Sequence, residues 1–147
     1  MTGEAHRMSR RAEKIGTSLI KIAVVYLLVG LSLGIGMGVS HDFRLSSVHA
    51  HILLIGWATM VISGVVYVIL PKCGNSWLAK VHYWLLNVGL PGMIVGLVLL
   101  TFGKETGESI VAPGSFFVLL AVVAFALNVF LNSGSGVPDD KQQQPSS

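Results

Sequence analysis

Four apolar runs, at about 15–39, 47–71, 78–102 and 110–132, constrain this chain more than any other feature of it. Each reaches the ~20 residues that an α-helix needs to cross a ~30 Å hydrocarbon core. Inside lipid a backbone must satisfy its own hydrogen bonds, and segments of this length do so as helices. The expectation is an all-α polytopic membrane protein, a four-helix transmembrane bundle. The connections "SHDFRLSS", "KCGNSW" and "GKETGES" are short, polar and turn-forming, which makes consecutive spans antiparallel neighbours. The first run is too long for a signal peptide and lacks a small-residue cleavage pattern, so it reads as a retained span.

Composition and charge agree with this reading. Hydrophobic residues make up 52% of the 147, charged residues only 12%, and the mean hydropathy is +0.71. The net charge of +3 comes from cations flanking the apolar runs, where they act as topology signals. No DNA-binding motif accompanies them, so the expected partner is the lipid bilayer and not nucleic acid. Arg7, Arg10, Arg11 and Lys14 in the basic segment 1–14, Lys72 and Lys80 in the second connection, and Lys141 in the tail fall on one side. Only Arg44 and Lys104 fall on the other. The positive-inside rule then makes both termini cytoplasmic, and the size and charge pattern suit a prokaryotic inner (plasma) membrane. The tail, 133–147, is rich in Ser, Gln, Gly and Pro and is expected to be disordered. A single cysteine, Cys73, excludes internal disulfides and cysteine metal clusters, and its place in a cytoplasmic turn gives it no catalytic task. No charged site lies in mid-membrane, which argues against an ion transporter.

Histidine is what the apolar runs leave unexplained. His49 and His51 open the second run, and "GIGMGVSHD" brings Met37 and His41 to the same membrane level. Thioether and imidazole suit Cu(I), and His/Met or His/His pairs also serve haem iron. At ~100° per residue, His49 and His51 point ~200° apart, so one small ion cannot be chelated by both on a regular helix. The His49 row continues through Leu53, Gly56, Met60, Ser63, Gly64 and Tyr67, a face of small and hydroxyl residues suited to close helix contact. His49 is therefore the expected intramolecular ligand, with His51 orienting it, lying near a haem edge or reaching a second subunit. Headgroup-level hydrogen bonding is the competing role for both.

His82 sits ~25 Å below His49 along the spans and cannot share its metal. With Lys80, Tyr83 and Trp84 it reads as part of an interfacial belt of aromatic rings and snorkelling cations. Its functional alternative is a second site built on His82, Tyr83 and Lys80: a second haem, a proton path or a quinone headgroup site. Met37 reads as core filler or soft ligand, His41 as a loop residue or ligand, Trp57 as packing or a haem wall, and Arg44 as a partner for a haem propionate. Gly30, Gly34 and Gly38, like Gly92 and Gly96, form G-x-x-x-G ridges that pack helices either within one chain or between copies.

The pattern "RLSSVHAHILLIGW" followed by "VVYVILP" resembles the second helix of the catalytic subunit of haem-copper oxidases and nitric oxide reductases. "LAKVHYWLLNVGLPGMIVG" is similar to a K-x-H-[FY]-W helix of that family, and "GLSLGIGMG" to one of its small-residue helices. The nearest likeness is to the short four-helix homologues, cytochrome c oxidase subunit I-like proteins, over roughly residues 20–132. The resemblance implies a low-spin haem b ligated by His49, in a protein that transfers electrons or binds a diatomic gas. The family's second axial histidine and its copper-holding histidine cluster have no counterpart, and the fourth run contains no histidine. Complete oxygen reduction by this chain alone is therefore not expected. Either His51 or His41 supplies the second ligand, or the iron stays five-coordinate. A homo-oligomer that buries the haem, with a redox partner or quinol, completes that expectation. The alternatives are copper handling by Met37, His41, His49 and His51, or a structural role in assembling a respiratory complex.

Overall fold

The computed structural model describes residues 2–133 as backbone, and side chains from Arg10 to Ser133. The tail expected to be disordered lies, apart from Ser133, outside the described residues. Five helices account for the fold of the described residues: α1 (Thr2–Ser40), α2 (Ser46–Ile69), α3 (Pro71–Asn75), α4 (Trp77–Thr101) and α5 (Thr106–Asn132). No strand occurs among the described residues. Four of these helices are long and apolar enough to cross a membrane, which makes this a multi-pass integral membrane protein by length and composition. The upper end of the bundle is defined here by connections 41–45 and 102–105, the lower end by connection 70–76.

Helix boundaries follow local chemistry. α1 runs unbroken from Thr2, so the basic segment is helical and continuous with the helix of the first span. Its upper end stops at His41, whose φ of 54° is the left-handed conformation that ends many helices, though glycine is the usual residue there. Below, α2 stops at Leu70, held at φ −111° and ψ 82° because the following Pro71 disfavours helical geometry in its predecessor. Ser76 caps α4, its Oγ accepting from the Ala79 backbone N–H at 3.1 Å.

The helices pack as two tight hairpins, α1 with α2 and α4 with α5, which touch one another more sparingly. Lipid offers no hydrophobic drive between spans, so closeness of approach decides the packing. A Cβ on Gly16 would lie 2.6 Å from the Gly64 carbonyl oxygen, and one on Gly89 would lie 3.0 Å from that of Gly114. Each hairpin is thus built on a backbone-to-backbone glycine contact that no larger residue permits. Gly30, Gly34 and Gly96 are likewise spent inside the chain, against Leu53, His49 and Val111, whereas Gly38 faces open space. Leu19, Met60, Tyr67, Leu86 and Leu90 fill the core, and the outward faces of α1 and α5 carry exposed Val, Leu, Ile and Phe as lipid-facing spans do.

A regular second helix is the expectation that fails. Residues Ile52–Thr59 form π-helix, with i→i+5 turns, between α-helical Ser46–His51 and Met60–Ile69. The lower half of the expected core row holds, since Met60, Ser63, Gly64 and Tyr67 are all buried. Above it the buried positions are Gly56, Ile52 and Val48, so His49 and Leu53 move from the centre of the row to its flank.

Candidate functional site

The upper end holds most of the expected ligands, but not as one cluster. His49 is half-buried, and its Nδ1–H donates to the Gly30 carbonyl at 2.9 Å. The ring fills the notch left by Gly34, where a Cβ would come within 2.9 Å of its Cε1. His51 is fixed in the same sense by donating from Nδ1 to the Ser47 carbonyl at 2.7 Å. In both rings the proton is committed to a backbone oxygen, which leaves Nε2 with its lone pair and, among the described residues, no hydrogen-bond partner. Orientation of an imidazole by a second bond at Nδ1 is the arrangement that metal-ligating histidines use.

The other upper residues take different roles. Arg44 pairs with Asp42, Nη2 to Oδ2 at 2.6 Å, and its guanidinium stands 5.4 Å above the Phe102 ring. The Arg44 donors hold the Asp42 carboxyl down at about 2, and the Asp42 carboxylate in turn raises the Arg44 guanidinium further. Arg44 is therefore already engaged by a carboxylate. Met37 is buried at 7% exposure and lines a cavity of about 230 Å³ with Asp42, Arg44 and Phe102. His41 is exposed at the helix end, and Trp57 is exposed on the outer face of α2. Among the described residues no three of His, Cys, Asp and Glu converge on a metal position, so His41, His49 and His51 do not form a chelating trio.

His82 departs furthest from expectation. It does not join an interfacial belt: it is fully buried, while Lys80 and Trp84 are exposed and Tyr83 is half-buried. The Tyr67 hydroxyl and His82 Nδ1 share a hydrogen bond of 3.0 Å, and the Phe125 ring lies 5.3 Å from the imidazole. His82 Nε2 is buried with no partner among the described residues. Tyr83 instead reaches α1, its hydroxyl 3.0 Å from Ser18 Oγ, and the expected set of His82, Tyr83 and Lys80 is not gathered at one point.

Sequence reasoning missed the centre of the lower end. Asn128, on α5, is fully buried; its Oδ1 accepts from Ser76 Oγ at 2.8 Å and from Asn132 Nδ2 at 2.8 Å. Its Nδ2 donates to the Cys73 carbonyl at 3.0 Å. Cys73 is buried beside it, and burial pushes its thiol pKa up. The available signal was a lone amide inside "AFALNVF", since an intramembrane polar group needs a partner. Outward of this cluster Met60, Leu86 and Leu90 are buried and apolar. Comparison with protein-family models, curated proteins and solved structures gives no match.

Proposed function

We propose that this chain is a b-type haem-binding membrane protein in which His49 would hold the haem iron through Nε2. The observation that carries the reading is the Nδ1–H bond from His49 to the Gly30 carbonyl, which fixes ring and tautomer and leaves the ligating nitrogen available. A single imidazole oriented through Nδ1 suits haem iron, and the copper reading would rest on Met37 with His41, His49 and His51. Haem would supply one-electron redox chemistry or a position for a diatomic gas.

The chain's own part is to orient the imidazole, keep its proton on Nδ1 and surround it with apolar helix faces. His51, oriented toward another side of α2, suits a ligand or neighbour contributed to a second copy, which makes a homo-oligomer part of the proposal. Exposed Leu54 and Trp57 on that helix provide an apolar wall beside it. A redox partner or quinol belongs to the same reading, in which both termini are cytoplasmic and the membrane is a prokaryotic inner membrane. Haemin titration of the purified protein tests it: saturable binding is expected in wild type and in His41→Ala, and its loss in His49→Ala. Equal binding by all three proteins would refute ligation by His49.

A further inference from the structure

The π-helical stretch in α2 has a consequence for residue 49 that does not depend on haem. Going back from Met60 to His49 in a regular α-helix takes about three full turns and leaves His49 only ~20° from the direction of Met60. Val48 would then stand ~120° away. Turns of about 4.4 residues over Ile52–Thr59 reverse this: Val48 comes to within about 25° of Met60, and His49 moves about 125° off. The burial pattern agrees, with Val48 at 2% exposure and His49 on the flank, donating to Gly30.

We infer that the imidazole at position 49 selects this wide-turn register, and that Ile52–Thr59 is a positioning element which keeps the histidine out of the core and against α1. The physical reason is a choice between two residues for one buried place. In the regular register an imidazole would occupy the apolar core row and valine would leave it. In the wide register valine is buried and the imidazole finds a backbone acceptor. Two local features accommodate the wider turn. Gly56 lets the backbone lie against the Tyr26 ring, where a Cβ would meet Cγ at 2.7 Å. Thr59 Oγ1 donates to the Leu54 carbonyl, five residues back, at 2.9 Å. Residue 49 chemistry and helix geometry are therefore coupled: an apolar side chain there lets the stretch rewind to α-helix and turns the upper end by roughly 145°.

The test reads position 48. In a Cys73→Ser background, Val48→Cys is labelled with a water-soluble maleimide in detergent micelles. Protection is expected with His49 present and with His49→Gln, whose amide can still donate to the Gly30 carbonyl. Labelling at least tenfold faster is expected with His49→Leu, or with His49→Met should the leucine variant fail to fold. Deleting Ala58 from the His49→Leu chain brings position 48 back to within about 20° of Met60 on a regular helix and is expected to restore protection. Continued protection in His49→Leu, or fast labelling that the deletion does not reverse, would overturn the inference.

Discussion

The Tyr67 hydroxyl and the His82 imidazole meet at 3.0 Å in the buried lower half of the bundle, and this bond joins the α1–α2 hairpin to the α4–α5 hairpin. Both side chains are fully buried. Tyr67→Phe leaves the imidazole with both ring nitrogens unpartnered and is expected to cost about 1 kcal/mol of stability, toward the upper range of intramembrane hydrogen bonds. A double-mutant cycle with His82→Phe, read by unfolding in mixed micelles, is expected to give a coupling of about 0.5–1.5 kcal/mol. Additive effects would remove the bond's claim to join the hairpins.

The glycine contacts make a sharper steric prediction. A Cβ on Gly114 would stand 2.5 Å from the Met93 backbone nitrogen and 3.0 Å from the Gly89 carbonyl, and neither is a flexible side-chain end. Gly114→Ala is expected to destabilise the fold by about 1–3 kcal/mol despite alanine's better helix propensity. Gly38→Ala meets nothing within 4 Å and is expected to be neutral or slightly stabilising. Thermal unfolding of the two variants side by side measures the difference.

Asp42 and Arg44 set the acid limit of the first connection. The folded carboxyl titrates at about 2, below the ~3.9 of a free aspartate, because Arg44 donates to it. A lowered folded pKa contributes order that is complete above the free value and lost as pH falls through about 2. Carbon-13 NMR of the Asp42 carboxyl is expected to give a midpoint near 2 in wild type and an ordinary carboxylate value in Arg44→Ala. Since both groups are exposed, overall melting is expected to stay level between neutral and mildly acid pH.

Cys73 is expected to be inert in the folded protein. Its side chain is fully buried, and burial raises its thiol pKa, so both access and thiolate are scarce. Maleimide labelling at neutral pH should be negligible until the detergent is made denaturing. Prompt labelling in mild detergent would mean that the Asn128 cluster opens.

Most of the architecture could be read from the chain, because lipid allows an apolar run of this length few alternatives. The long helices end within a few residues of the apolar runs, except that α1 begins at Thr2, well before residue 15, and Pro71 marks the end of α2 as proline chemistry requires. Three features could not be read that way. The π-helical stretch is invisible to periodicity, since the apolar run ILLIGWAT fits wide and regular turns equally, and only the burial of Val48 in place of His49 exposes it. His82 looked interfacial because Lys80, Tyr83 and Trp84 flank it, yet helix phase turns it inward while Lys80 and Trp84 turn out and Tyr83 faces α1. Asn128 lay in a span whose contacts depend on where α3 and α4 bring Cys73 and Ser76. At the candidate site the residue types were legible and their grouping was not, since grouping depends on tertiary placement.

The most direct measurement is the absorption spectrum of detergent-purified protein from haem-replete cells, oxidised and then dithionite-reduced, with His49→Ala and His51→Ala alongside and iron determined on each. The account predicts a reduced low-spin haem b spectrum with bound iron in wild type, lost in His49→Ala. A colourless, iron-free wild-type protein, or a haem spectrum unchanged in His49→Ala, would contradict it.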